Sequence, residues 1–248
     1  MRISYDMVPI IKFERITKIY QGRQIGLADV SFCLPSGATI GLLGANGSGK
    51  STVMRLALGL ITPSAGDVEV FGQRMKPASK ALRQRIGFLS DDPVFPKDLS
   101  AISYLTFVGK CFGLDSRERH SRMGSLLRAV GLMDDAGRKI GTYSTGMKTR
   151  LGIAASLMND PELLVWDEPT AGLDPISRRQ TLELVEQFRG KKTVLLSSHI
   201  LGDIDRVCVA GLMTPPLPVR LVPGTHNWLF NARRSHKESF IRGLWDDV

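Results

Sequence analysis

The chain has 248 residues, of which 43% are hydrophobic and 23% charged, and its formal net charge is +9. This composition is ordinary for a soluble globular protein, and the length suits one large α/β domain or two small ones. No stretch of about 20 apolar residues is present and the N-terminus lacks an apolar signal core, so neither a membrane span nor a secretory signal is expected. The three cysteines include no C-x-x-C pair, which argues against a zinc or dithiol motif, and the scattered Lys and Arg give no reason to expect a nucleic-acid partner.

The N-terminal part of the chain predicts strands followed by a loop and a helix. Residues Ile10 to Phe32 alternate apolar and polar side chains, which indicates antiparallel strands joined by a turn. Ala38 to Leu43 is a short apolar run that meets a glycine-rich loop, and Ser51 to Leu60 has helical periodicity. A strand, a glycine loop and a helix in this order are typical of a phosphate-binding site.

The rest of the chain alternates strands and helices. The predicted strands are Asp67 to Phe71, Ile86 to Leu89, Leu163 to Trp166 and Thr193 to Ser197, and Ile176 to Arg189 is a predicted amphipathic helix. From about Leu99 to Met158 the pattern is helical, with breaks near Gly113, Gly131 and Gly141. The sequence therefore predicts an α/β fold with a mostly parallel, doubly wound sheet, an N-terminal antiparallel β subdomain and a helical subdomain inserted at about residues 92–158.

The glycine-rich loop carries a nucleotide-binding motif. The sequence GANGSGKS, from Gly44 to Ser51, matches G-x-x-x-x-G-K-[ST] in full and predicts a P-loop that binds a nucleoside triphosphate. Its glycines let backbone N–H groups point at phosphate oxygens, Lys50 is expected to bind the β and γ phosphates, and the Ser51 hydroxyl is expected to bind Mg²⁺. The candidate nucleotide-binding residues here are Gly44, Ala45, Asn46, Gly47, Ser48, Gly49, Lys50, Ser51 and Thr52.

Two adjacent acids follow the apolar strand Leu163 to Trp166. Because ligands collect at the carboxyl ends of strands in an α/β sheet, Asp167 is predicted to lie beside the phosphate loop and orient Mg²⁺. Glu168 is the candidate base, or at least the positioning group, for the attacking water. Two solvated loop residues are the alternative for this pair when it is taken alone.

The chain resembles the ATP-binding proteins of ABC transporters, and in particular exporter-type members whose membrane subunits are separate polypeptides. Tyr143 to Lys148, YSTGMK, is similar to the family signature usually written L-S-G-G-Q. The run from Asp167 to Asp174, DEPTAGLD, resembles the family's second acidic motif and its D-loop, and Ser197-Ser198-His199 resembles the switch histidine. These motifs occur in the family's order between about Ile11 and Cys208.

The resemblance implies a dimer in which each ATP lies between the phosphate loop of one subunit and the signature of the other. Ser144, Thr145 and Gly146 would contact the γ-phosphate, and His199 would sense or hold it. Tyr20 falls where family members stack an aromatic ring on adenine, and Asp174 would contact the opposite subunit. A surface histidine, a core tyrosine and a helix-capping aspartate are the alternatives for His199, Tyr20 and Asp174.

The function implied by the resemblance is hydrolysis of ATP, with Mg²⁺, to power transport. Lys50, Glu168 and His199 are the candidate catalytic residues. The expected partners are integral-membrane permease subunits and a second ATP-binding subunit, identical or homologous, at the cytoplasmic face of the cell membrane. A soluble ABC ATPase acting on DNA or the ribosome, and a truncated or defective ATP-binding product with impaired coupling, are the alternatives.

Two features depart from the family pattern. Where members carry Gln or Glu after the strand at Ile86, this chain has Asp91, whose side chain is shorter than that of Glu by one methylene. Asp91 is a candidate Mg²⁺ ligand. Beyond Cys208 the pattern stops, and no strand is predicted in the atypical tail, residues 209–248; a short helix is suggested only near Ser235 to Leu244. A shifted reading frame is the hypothesis for this tail, and a divergent or disordered C-terminus is the alternative.

Overall fold

A computed structural model describes residues 9–21 and 24–213 of the chain. The strands are β1 (Pro9–Ile19), β2 (Ile25–Pro35), β3 (Thr39–Leu43), β4 (Ala65–Val70), β5 (Gln73–Arg74), β6 (Ile86–Leu89), β7 (Leu163–Trp166), β8 (Thr193–Ser198) and β9 (Ala210–Met213). The helices are α1 (Lys50–Ala57), α2 (Lys80–Arg83), α3 (Ala101–Cys111), α4 (Ser116–Ala129), α5 (Thr145–Ser156), α6 (Pro175–Phe188) and α7 (Leu201–Val207), with a 3-10 turn at Ile140–Thr142. The short β5 and α2 were not predicted from the sequence.

The first sheet is antiparallel and has the strand order β2-β1-β4-β5. The apolar positions of the N-terminal alternation point inward, as shown by the buried Phe13 and Phe32, whose rings stack with centroids 4.6 Å apart. This confirms the predicted N-terminal antiparallel unit. The strand β4 also belongs to this sheet, because it pairs antiparallel with β1 from Ile11 opposite Val70 to Thr17 opposite Ala65.

The second sheet has the order β6-β7-β8-β3-β9, and its recorded pairings are all parallel. Its central strands are buried on both faces, which explains why Leu163–Trp166 and Thr193–Ser198 are continuous rather than alternating apolar runs. The predicted parallel sheet is confirmed. Parallel strands end at one edge, so the chain leaving β3, β7 and β8 meets there although the three segments are far apart in sequence.

Three helices, α3 to α5, lie between β6 and β7 in the chain, as the helical pattern predicted. Ser100 and Asp115 cap α3 and α4 by accepting hydrogen bonds from Ser103 N at 3.2 Å and Glu118 N at 2.8 Å. The insertion packs on the parallel sheet, and Trp166 Nε1 of β7 donates to Ser156 Oγ of α5 at 3.0 Å. The division of the chain into domains at particular residues stays a prediction.

The expectation that no strand follows Cys208 is wrong. The strand β9 pairs parallel with β3, from Ile40 opposite Ala210 to Leu43 opposite Met213. The Val209 N–H donates to Thr39 O at 2.9 Å and starts the ladder. The hydrogen bonds that add a strand to a sheet edge are made by the main chain, so they do not require a particular pattern of side chains. A strand of only four residues is therefore hard to predict from the sequence. The rest of the atypical tail, including the suggested helix near residues 235–244, lies outside the described residues.

Candidate nucleotide site

The phosphate loop joins β3 to α1 and depends on two glycines in the left-handed region. Gly47 has φ 80° and Gly49 has φ 98°, values that favour residues without a side chain. A Cβ atom on Gly49 would also lie 2.8 Å from the carbonyl oxygen of Gly26. The helix α1 begins at the next residue, Lys50, so the loop presents the N-terminus of a helix at the edge of the sheet.

Lys50 is buried at the centre of this loop. Its Nζ donates to Gly44 O at 2.7 Å and to Ala45 O at 3.2 Å, and only 6% of the side chain is exposed. The same Nζ lies 3.7 Å from Oε1 of Glu168. A cation held this way between carbonyl groups and one carboxylate is suited to bind phosphate oxygens as a point charge.

The two acids after β7 are joined through a residue of β8. Ser197 is fully buried, and its hydroxyl donates to Asp167 Oδ1 at 2.5 Å while accepting from Glu168 N at 2.8 Å. Asp167 is itself nearly buried, with 6% exposed. Sequence reasoning missed Ser197 as a functional residue. Its signal in the sequence is a serine near the end of the buried strand β8, which pairs with the strand that precedes Asp167 and Glu168.

Glu168 connects the loop lysine to the predicted switch histidine. Its Oε2 lies 2.8 Å from Nδ1 of His199, and the His199 N–H approaches the same oxygen at 3.4 Å. Its other oxygen, Oε1, is buried and has no hydrogen-bond partner among the described residues. The backbone of Glu168 has φ 48°, which is unusual for a residue with a long side chain and characteristic of strained positions at functional sites.

The signature segment and the D-loop pack against each other. Ser144 caps α5 by accepting from Met147 N at 3.2 Å. A Cβ atom on Gly146 would lie 3.3 Å from Leu173 Cδ2, and one on Gly172 would lie 3.6 Å from Cγ2 of Thr145. The start of α5, with its exposed Ser144 and Thr145, therefore lies beside the D-loop of its own chain.

Asp174 ends the D-loop and caps α6. Its Oδ1 accepts from Ile176 N and Ser177 N, both at 3.0 Å, and Pro175 occupies the first turn of the helix. Hydrogen bonds from Ser177 hold the pKa of Asp174 below its ordinary value; the bond from the Ser177 side chain has the larger effect and the bond from its backbone N–H the smaller. The capping alternative is therefore realised in the structure, and it is compatible with a contact to another subunit.

The remaining candidates lie around the loop without forming a closed cluster. Tyr20 is half-buried, and its hydroxyl is 3.1 Å from Oγ1 of Thr52 on α1, so Tyr20 contacts the helix that follows the phosphate loop. Asp91 is exposed two residues after β6, and its Oδ1 accepts from Asp92 N at 3.0 Å. Ser51 is the second residue of α1 and is half-buried.

Residues 9–21 and 24–213 contain neither a cluster of metal ligands nor a membrane-spanning helix. No group of three or more His, Cys, Asp and Glu side chains in these ranges is arranged to hold a metal ion. None of the helices in these ranges has both the length and the apolar character needed to cross a bilayer.

Residues 27–171 match the model of the ABC transporter family, which is more than half of the chain. The chain belongs to the ABC transporter family. Relatives within this family include the ABC transporter ATP-binding protein YxlF of Bacillus subtilis, 35% identical over 199 residues, and the bacitracin transport ATP-binding protein BcrA of Bacillus licheniformis, 37% identical over 203 residues. The alignments cover 80% and 81% of this chain but 65% of each relative, so the chain spans slightly less than two thirds of their length.

Solved structures of ABC proteins share the fold. The structure of an ATP-binding subunit of an ABC transporter has a TM-score of 0.80 and 25% identity, with 96% of this chain and 98% of that chain covered. The dimeric post-hydrolysis structure of the ATP-binding cassette MJ0796 bound to ADP and Pi has a TM-score of 0.79 at 22% identity, covering 90% and 99%. Together with the family match, these likenesses confirm the P-loop NTPase fold and the family resemblance noted in the sequence.

Proposed function

We propose that this chain binds and hydrolyses ATP as the energy-coupling subunit of an ABC transporter that exports its substrate. The observation that carries the proposal is the contact between three side chains, each of which follows a different strand of the parallel sheet. Lys50 after β3, Glu168 after β7 and His199 after β8 form a continuous path, with Nζ–Oε1 and Nδ1–Oε2 distances of 3.7 and 2.8 Å. A basic, an acidic and a histidine side chain beside a glycine loop are the groups that phosphoryl transfer requires.

The residues present fit a magnesium–nucleotide complex. The loop glycines at positive φ and the N-terminus of α1 supply backbone N–H groups for the phosphates, with Gly44 to Thr52 as the binding segment. Ser51, Asp167 and Asp91 are the residues proposed to hold Mg²⁺, directly or through water. When bound, the ion supplies charge neutralisation for the phosphate oxygens.

Hydrolysis joins one water oxygen to the γ-phosphorus and breaks the bond between that phosphorus and the oxygen bridging to the β-phosphate. Oε1 of Glu168 is buried, lies 3.7 Å from Lys50 Nζ and accepts no hydrogen bond from the described residues, so it can orient the water and accept its proton. Lys50 neutralises charge on the phosphates, and His199, held by Glu168, is positioned to bind the γ-phosphate. The products are ADP and phosphate.

The proposed assembly is a dimer of ATP-binding subunits, identical or homologous, on separate membrane-spanning permeases at the cytoplasmic face of the membrane. Ser144, Thr145 and Gly146 would complete the nucleotide site of the opposite subunit, with Asp174 beside them. Support comes from the dimeric form of MJ0796 and from the names of relatives, which include bacitracin transport, linearmycin resistance and Nod factor export proteins. The export direction rests on these relatives and on the signature variant YSTGM.

Turnover of ATP by the full chain and by Glu168→Gln tests the catalytic assignment. We expect the substitution to lower kcat by about 100- to 10,000-fold, because it removes the proton acceptor, while ATP binding is kept and ATP-dependent dimers accumulate. Glu162→Gln is the matched control, since it removes the same charge six residues earlier, where Glu162 pairs with Arg85 at 2.6 Å. Equal turnover in Glu168→Gln and the parent protein would contradict the proposal.

Cell fractionation tests the coupling to transport. A transporter subunit should sediment with membranes and be released when its permease is extracted with detergent. Recovery in the ribosomal or nucleic-acid fraction would favour the alternative of a soluble ABC ATPase. ATP binding without turnover in the full chain, or without membrane association, would favour a product with impaired coupling.

A further inference from the structure

A buried carboxylate outside the nucleotide site joins the segments that carry its catalytic groups. Asp203 is 1% exposed and lies in the first turn of α7, the helix that follows His199. Its Oδ2 accepts from Thr170 Oγ1 at 2.6 Å, and Thr170 follows Glu168 by two residues. One acid side chain therefore ties the loop after β8 to the loop after β7.

The other oxygen of Asp203 reaches α6. Oδ1 accepts from both Nε and Nη2 of Arg178, at 2.9 and 2.6 Å. The N–H of Arg178 in turn donates to the carbonyl oxygen of Asp174, which ends the D-loop. The carboxylate thus holds both ends of the segment between Glu168 and α6, the segment that packs on the signature through Leu173.

The phosphate loop is attached differently. The helix α7 is fixed to β3 by apolar packing, since a Cβ atom on Gly41 would lie 2.4 Å from Cδ1 of Ile204. That packing does not involve Asp203, so we expect α7 and the loop around Lys50 to stay in place when the carboxylate is lost. What it removes is the fixed spacing between the Glu168 loop and the helix after His199.

We propose that Asp203 is a positioning residue for ATP hydrolysis, which holds the Glu168–His199 contact and the D-loop in register through Thr170 and Arg178. The Asp203 side chain is 2% exposed, and a charge buried to this degree is costly unless its partners stay in place. This inference rests on the proposed function for its kinetic consequence. Its structural consequence, a fixed Glu168–His199 contact, does not depend on turnover.

The kinetic test compares two variants that break the connection at different atoms. Asp203→Asn removes the charge, and Thr170→Val removes one hydroxyl with little change of shape. Both should lower kcat by about 10- to 100-fold and leave the Kd for ATP within twofold, because the phosphate loop is untouched. Thr170→Val also covers the case in which Asp203→Asn does not fold.

Glu186→Gln is the matched control. Glu186 accepts a hydrogen bond from Nε of Arg206 at 3.0 Å, so this pair also joins α6 to α7. It lies near the C-terminal ends of both helices, whereas the loops that carry Glu168 and His199 lead to their N-terminal ends. The variant should keep the parent kcat although it loses an ion pair between the same two helices, here one whose side chains are 33% and 37% exposed. Circular dichroism at the assay temperature establishes that each variant is folded.

A spectroscopic measurement separates this inference from the proposed function. The chain has four histidines, and the ring ¹⁵N signals of His199 are assigned with His199→Gln. The Nδ1 signal should shift in Asp203→Asn and Thr170→Val and stay unchanged in Glu186→Gln, whether or not the protein turns over ATP. Parent-like kcat and Nδ1 signals in a folded Thr170→Val or Asp203→Asn protein, or equal losses in Glu186→Gln, would overturn the inference. If the parent protein shows no ATP turnover while the Nδ1 signal shifts as expected in the variants, the proposed function is refuted and this inference is not.

Discussion

Replacing Ser197 by alanine removes the hydroxyl that joins the two acids of the site. In the structure this group donates to Asp167 Oδ1 at 2.5 Å and accepts from Glu168 N at 2.8 Å, and it is completely buried. Ser197→Ala leaves a carboxylate without this donor and a backbone N–H without this acceptor. Both stability and catalysis should therefore fall.

The magnitude of the stability loss follows from these two bonds. A hydrogen bond to a charged group contributes about 1.5–3 kcal/mol, and a buried N–H left without an acceptor costs about 1–3 kcal/mol. Because the two effects share one site and do not simply add, Ser197→Ala should lower the free energy of unfolding by about 2–5 kcal/mol. Displacement of Glu168 should also lower kcat by about 10- to 100-fold.

Urea denaturation and ATP turnover measure the two effects separately. Ser156→Ala is the control, because Ser156 is also buried and accepts from Trp166 Nε1 at 3.0 Å, immediately before Asp167 in sequence. Ser156→Ala should lose about 1–3 kcal/mol of stability and keep its turnover below the unfolding temperature. Parent-like kcat in Ser197→Ala, or the same loss of kcat in Ser156→Ala, would refute the assigned role of Ser197.

Two further predictions concern packing and pH. Gly87→Ala should lower the free energy of unfolding by about 1–3 kcal/mol, because its Cβ would lie 2.0 Å from Ser156 O. The control is Gly202→Ala in the exposed first turn of α7, where a Cβ meets open space, and it should be neutral or stabilising by up to about 1 kcal/mol. Hydrogen bonds from Arg85 hold the pKa of Glu162 below its ordinary value of 4.5, so the pair stabilises the fold above that pH and this contribution is lost as the pH falls through the lower folded pKa. Because both side chains are about half exposed, the free energies of unfolding of the parent and Glu162→Gln should differ by only about 0.2–1 kcal/mol near neutral pH and should converge in acid. A difference that grows in acid would contradict this prediction, and a Gly87→Ala protein as stable as the parent would contradict the first.

The sequence by itself determined the parts of this protein whose chemistry is local. The spacing within GANGSGKS requires a turn with left-handed glycines before a helix, and Gly47 and Gly49 adopt it. The apolar run before Asp167 and Glu168 likewise predicts a buried strand followed by two acids, and β7 is such a strand. These features are fixed by neighbouring residues, so they can be read along the chain.

Only the tertiary structure decided which distant residues meet. The contact between Lys50 and Glu168, the bridge made by Ser197 and the connection through Asp203 depend on the order of strands in the parallel sheet. The pairing of β9 depends on a free edge at β3, which no local pattern records. Long-range pairing is set by packing and hydrogen bonding between segments far apart in sequence, and for that reason these contacts could not be read from the sequence.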